Sequence, residues 1–235
     1  MQMNGRRDGA PTAADLFEPV DAARLGELVY QRVADALMKG ALEPGERLRI
    51  REIAQQVGTS VTPVRDAIMR LVQEGALTMR SARDIRVPYV GSDQYREIRR
   101  IRLQLEGLAA EDAARAATSD DLARLAAIIA ANERAIADRD IGQAVALNQV
   151  FHFALAEIAV LPILRDILRL LWLKSGPVIA AGYDVGGRVM IDHHYIVLDA
   201  IRRKDPEAAR SAICRDIMAG GDAILATGLL DEEQA

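Results

Sequence analysis

Two apolar stripes separated by a three-residue break constrain this chain more than any other feature. The first runs Ile50, Ile53, Ala54 and Val57, and the second Val64, Ala67, Ile68, Leu71 and Val72. Both recur at steps of three and four, the spacing of one face of an α-helix. Only six residues separate Val57 from Val64, and Gly58-Thr59-Ser60 forms the break. Thr62 suits a helix cap, and Pro63 suits a first helical position, where its missing N–H would be unpaired anyway. Gly75 ends the second helix as a left-handed cap. The face opposite the second stripe carries Arg65, Asp66, Met69, Arg70 and Gln73.

The flanks complete a pattern. Upstream, Asp21 is placed to cap a helix with Leu25, Leu28, Val29, Val33 and Leu37 on one side, ended by Gly40 and Pro44-Gly45. Downstream of Gly75 the period drops to two. Leu77 and Met79, then Ile85 and Val87, alternate with polar residues around Ser81-Ala82-Arg83-Asp84. This predicts two short strands and a tight turn. Helix, short helix, turn, helix, hairpin is the order of a winged helix-turn-helix.

In that arrangement the second stripe packs inward and the polar edge is free to enter a DNA major groove. Arg51 is placed to grip a backbone phosphate, and Arg65 to reach a guanine edge or a phosphate. Ser60 and Thr62 are donors at a helix N-terminus, which itself favours phosphate. Arg70 belongs to the same outer face. Arg80, Arg83 and Arg86 belong to the hairpin, suited to the minor groove.

A net charge of −4 argues on its own against nucleic acid. Its distribution reverses that. Residues 47–86 hold eight arginines against four acids, whereas residues 91–235 hold seventeen basic and twenty-two acidic side chains. A basic segment beside an acidic remainder indicates two units with different partners.

Pro88–Gly91 reads as the junction. Beyond it the pattern is helical, over about 92–117, 118–137, 141–158, 161–173, 187–203 and 206–226, with Asp205-Pro206 a strong helix start. The predicted fold is mainly α: a winged helix-turn-helix over 21–88, an all-α antiparallel bundle over 92–228, and a disordered polar arm over 1–20. The start has no secretory character, and LPILRDILRLLW is interrupted by Arg165, Asp166 and Arg169. Cys214 is the only cysteine, which leaves no internal disulfide and no cysteine cluster for a metal. A cytoplasmic protein is expected.

All three histidines lie in the second unit. Asn148 and His152 stand four apart on one helix face. Leu198 and Ile201 follow His194 at i+4 and i+7, so His194 of the His193-His194 pair turns to the apolar side. Asp216 sits beside the stripe of Ile213 and Ile217. A ring of Asn148, His152, His194 and Asp216 inside a bundle suits Zn²⁺ or a similar divalent ion. Two hydrogen-bonded core histidines are the plainer alternative.

The run PGERLRIREIAQQVGTSVTPVRDAIMRLVQEGAL resembles the signature of the GntR family of bacterial transcription regulators. Pro44-Gly45, Leu48, Glu52-Ile53-Ala54, Gly58, Thr62-Pro63-Val64-Arg65, Ala67, Leu71 and Gly75 fall in register. The resemblance implies that Arg51 and Arg65 contact DNA. At the wing tip relatives often carry Gly, where this chain has Ser81-Ala82-Arg83-Asp84. NQVFHFALAEIAVLPIL is similar to an element of the FadR-type C-terminal ligand-binding domain, FCD. RRIRLQLEGLAAEDAA resembles its first helix, with Arg102 and Glu106 in place, and HYIVLDAIRRKDPEAARSAI its last two.

That resemblance implies a divalent metal (Zn, Ni or Mn) on Asn148, His152, His194 and Asp216. Relatives have His where this chain has Asp216, and Asn-Pro where it has Leu161-Pro162. The expected protein is a non-enzymatic, ligand-responsive regulator that binds a near-palindromic double-stranded operator as a homodimer. Its expected effector is a small carboxylate held by a partly ligated cation and by Arg102. The plain alternative for Arg102 is an ion pair with Glu106 at i+4. Two rivals are a metal-dependent hydrolase, for which no general-base motif is evident, and a protein-interaction module without DNA binding.

Overall fold

The protein is described by a computed structural model over residues 22–228 and residue 230. The expected arm over 1–20 and the Asp21 cap lie outside the described residues. No described helix is long and apolar enough to cross a membrane.

The first unit follows the predicted order. Helix α1 (Ala22–Met38) leads through left-handed turns at Gly40 and Gly45 to a short strand β1 (Arg47–Leu48). Then come α2 (Ile50–Val57), α3 (Val61–Gln73), β2 (Thr78–Ser81) and β3 (Asp84–Arg86). Val64, Ala67, Ile68 and Leu71 are buried, so the second stripe is the inward face of α3. Gly75 takes φ 70°, the left-handed turn that lets the chain leave α3 for β2.

Two local details differ from the sequence pattern. Helix α3 starts at Val61 with Ser60 at its N-cap, so Thr62 and Pro63 lie inside the first turn and Thr62 is not the cap. Pro63 remains where no backbone donor is needed. The sheet has three antiparallel strands, in the order β1-β3-β2, and not two. Leu48 pairs with Ile85, and both are buried. A two-residue strand is too short to show a period, so the alternation could not reveal it.

The second unit is a helical bundle: α4 (Ser92–Ala116), α5 (Ser119–Ala137), α6 (Ile141–Ile158), α7 (Pro162–Gly186), α8 (His194–Arg202) and α9 (Pro206–Ala226). Its starts have chemical causes. Thr118 and Asp121 form a reciprocal capping box, and Asp140 and Asp205 each accept a backbone N–H of the first turn.

Helix α7 runs well past the expected end near residue 173. Ser175-Gly176-Pro177 reads as a breaker, yet the helix continues because Trp172, Leu173, Val178, Ile179 and Tyr183 are all buried along it. That burial outweighs the one backbone bond a proline removes. The expected 187–203 helix is also divided, into a 3-10 turn (Gly187–Met190) and α8.

The two units are docked on one another. A Cβ at Gly176 of α7 would stand 2.3 Å from the Leu37 carbonyl oxygen of α1. One at Gly40 would stand 2.1 Å from Ala180 Cβ. These glycines allow backbone-to-backbone approach, and one buried apolar cluster runs from Leu37 and Met38 to Val178 and Ile179.

Candidate DNA-binding face and buried polar site

Two of the grooves on the first unit hold the residues expected to contact DNA. Arg51, Arg65 and Arg83 line one of about 440 Å³, together with Arg47 and Arg49, between the start of α3 and the hairpin. Arg47 Nε donates to the Arg83 carbonyl at 3.0 Å, which ties the wing turn to β1. Ser60 and Thr62 are exposed and line the other groove, against α1.

Arg70 departs from the free-face expectation. It lies five residues beyond Arg65, about 140° further around the helix, and so turns toward α1. Its guanidinium carbon stands 3.7 Å from the Tyr30 ring centroid. Its nitrogens pair with Glu27 at 2.8 Å and Glu74 at 3.2 Å. Those contacts occupy the fork that a base or phosphate would need.

In the second unit α6, α8 and α9 bring His152, His194 and Asp216 together. One ligand atom of each lies within 4.8 Å of the others. His152 Nε2 is 3.3 Å from Asp216 Oδ2, and His194 Nε2 is 3.5 Å from Asp216 Oδ1. Asn148 lies one turn before His152 and lines the same small cavity, with Arg102 at its edge. All five side chains are buried.

Several of these atoms make no hydrogen bond of good geometry. Asn148 Oδ1, Asp216 Oδ1 and both His194 ring nitrogens are buried without a hydrogen bond. Leaving such groups unpaired is costly. Two imidazoles and a carboxylate converge here, with the Asn148 amide on the same cavity, a donor set that fits a divalent cation of the Zn, Ni or Mn kind. His194 is held by stacking: its ring lies 3.9 Å from that of Phe151, at an interplanar angle of 18°.

Behind His152 stands a charged relay that the sequence pattern did not disclose. His152 Nδ1 bonds Glu106 Oε2, and Arg102 Nε donates to Glu106 Oε1 at 2.6 Å. Arg102 also lies 4.6 Å from the Trp172 ring centroid. In the sequence Glu106 was visible as the i+4 partner of Arg102 and as part of the FCD first-helix pattern. Its second role needs α4 and α6 in contact, which spacing along one helix cannot show. Carboxylate–imidazole pairing of this kind fixes which ring nitrogen faces a metal.

The charges are mutually balanced. Burial pushes the His152 imidazole down, but the Glu106 and Asp216 carboxylates outweigh it and raise it to about 8. Burial pushes His194 below its ordinary value. Burial would raise Asp216, yet the two imidazoles hold it well below the usual carboxylate range. Glu106 is likewise lowered, since Arg102 and His152 overcome its burial.

Comparison with known proteins agrees with this geometry. Residues 25–87 match the model of the gntR family of bacterial regulatory proteins, and residues 97–219 match that of the FCD domain. The chain is 36% identical over 190 residues to the HTH-type transcriptional regulator McbR of Escherichia coli K12, spanning 79% of this chain and 86% of that protein. It is 27% identical over 214 residues to the Uxu operon transcriptional regulator of the same strain, spanning 82% and 83%. The solved structure of E. coli McbR/YncC superposes with a TM-score of 0.81 at 32% identity, over 86% of this chain and 98% of that one. A GntR-type regulator from Rhodococcus sp. RHA1 superposes at 0.73 with 20% identity, over 86% and 97%, an agreement of fold.

Proposed function

The chain belongs to the FadR-type, FCD-containing branch of the GntR family of transcriptional regulators, and on that footing we propose that its operator affinity is set by a small organic acid bound in the C-terminal bundle. The observation that carries this reading is the buried cluster of His152, His194 and Asp216, with Asn148 and Arg102 on the adjoining cavity and several of its polar atoms lacking a hydrogen bond. Leaving those atoms without hydrogen bonds costs free energy that a bound cation and acid would offset.

Asn148, His152, His194 and Asp216 would hold the divalent cation. When bound, it supplies a Lewis-acidic centre with positions left for carboxylate oxygens. Glu106 orients His152 and offsets the Arg102 charge. Arg102 retains further donors for an acid, because only its Nε is engaged by Glu106. Asp216 in place of a third histidine adds a negative charge, so the bound cation is more fully neutralised here than on three imidazoles.

At the other end, Arg51, Arg65 and Arg83 form the DNA groove, with Ser60 and Thr62 at the start of α3. Arg70 serves instead to fix α3 against α1. Two copies, related by a twofold axis, would place two α3 helices on a near-palindromic operator. The polar arm over 1–20 and the boundaries 21–88 and 92–228 remain part of this proposal.

Helix α7 is suited to link the two ends. Trp172 lies 5.5 Å from the His152 ring, and one turn earlier Arg169 bonds the first unit. The test is a selection of duplexes from a random pool by the purified protein, followed by titration of the selected duplex with and without Zn²⁺ and acetate. A duplex affinity that neither the ion nor the acid changes would refute the effector reading while leaving DNA binding intact.

A further inference from the structure

The cavity beside the proposed cation site measures about 20 Å³, room for about one water. Pockets for organic ligands are usually in the range of about 300–1,000 Å³. An acid therefore requires one wall to move. Tyr95, Ile179, Ile217 and Ile224 line it from α4, α7 and α9, and all are buried against neighbouring helices. Displacing any of them moves a helix of the bundle.

Met190 is different. It lies in the 3-10 turn between α7 and α8, not in a long helix. The turn opens at Gly187, whose φ of 49° and ψ of −116° favour glycine. The Met190 side chain is unbranched, with three rotatable bonds. Its seat is formed by missing side chains: its methyl lies 3.4 Å from where Gly220 would carry a Cβ and 3.6 Å from that of Gly182. The residue is buried and lines the cavity between α7 and α9.

We propose that Met190 is a displaceable plug that sets how large a carboxylate the buried site accepts. The inference rests on the effector reading above and names its size-determining residue. Among the lining residues Met190 yields at least cost, so short acids enter first, and each added methylene competes with the thioether for the space between Gly182 and Gly220.

The experiment uses the full chain loaded with Zn²⁺, as wild type, Met190→Ala and Met190→Val, titrated calorimetrically with acetate, succinate and adipate. Wild type is expected to bind acetate at least about tenfold more tightly than adipate. Met190→Ala is expected to improve adipate binding by about tenfold or more while changing acetate by less than about threefold, with Met190→Val between them. Retained Zn²⁺ and an unchanged helical circular dichroism spectrum report folding, and Met190→Val carries the comparison if the alanine variant does not fold. The same ratio of acetate to adipate affinity in all three proteins overturns the plug. If no Zn²⁺-loaded protein binds any of the acids, the effector reading fails, and the plug with it.

Discussion

Arg169 Nη1 donates to the Tyr30 hydroxyl at 2.6 Å, joining α7 of the helical bundle to α1 of the winged helix-turn-helix unit. Tyr30 in turn donates to the Glu74 carboxylate, at 2.7 Å to its nearer oxygen. Glu74 is the C-cap of α3. The buried Tyr30 ring lies near Arg70 of α3, at 3.7 Å, and near Arg169, at 4.9 Å. These three side chains are the route by which a shift of α7 would reach α3. Tyr30→Phe keeps the packing and removes the hydroxyl. It is expected to cost about 1–3 kcal/mol of stability, to leave acetate binding unchanged, and to shrink the effect of acetate on operator affinity. An undiminished response in a gel-shift titration would rule out this path.

Gly176 tests the same coupling by another route. A methyl there meets the Leu37 carbonyl at 2.3 Å, a contact with backbone that cannot rotate away. Gly176→Ala is expected to loosen α1 from α7. Hydrogen exchange of α1 amides should then rise while the bundle stays protected.

The DNA groove makes a sharper claim about two arginines. Arg65→Ala is expected to weaken operator binding by about 1–3 kcal/mol and to relax preference at one position per half-site. Arg51→Ala should weaken all duplexes about equally and reduce the salt slope by about one. Arg70→Ala, by contrast, should act mainly on thermal stability, because its partners are Glu27, Glu74 and Tyr30. Equal losses of sequence preference from all three would contradict the assigned groove.

For the buried site, Glu106→Gln removes the charge that orients His152 and balances Arg102. Zn²⁺ affinity, read by competition with a chromogenic chelator, is expected to fall about 10–100-fold. A His152→Ala/His194→Ala double variant should lose the metal altogether. Asp216→His replaces a carboxylate by an imidazole and is expected to tighten borderline metals such as Zn²⁺.

Much of this fold was legible because its signals are local. The stripes of α2 and α3, the Gly75 turn and the helix starts at Thr118 and Asp205 all lie within one or two turns of chain. The ligand candidates on α6 shared a helical face, and His194 was separable from His193 by what followed it. What was illegible depends on distant packing. Pro177 looks like a breaker until Trp172 and Tyr183 are seen buried on either side of it. Strand β1 exists because Leu48 finds Ile85. Glu106 acquires its second role from α6, and Arg70 its partners from α1. Met190 carried no sequence signal, since a methionine between Val189 and Ile191 reads as packing.

Occupancy of the buried site is expected to change the grip on DNA. The direct measurement is fluorescence anisotropy of a labelled selected operator with the Zn²⁺-loaded protein, with and without saturating acetate at one fixed salt concentration. A change in Kd of about 5–150-fold is predicted, absent in the His152→Ala/His194→Ala variant. An unchanged Kd, with calorimetry showing the acid bound, would contradict the account.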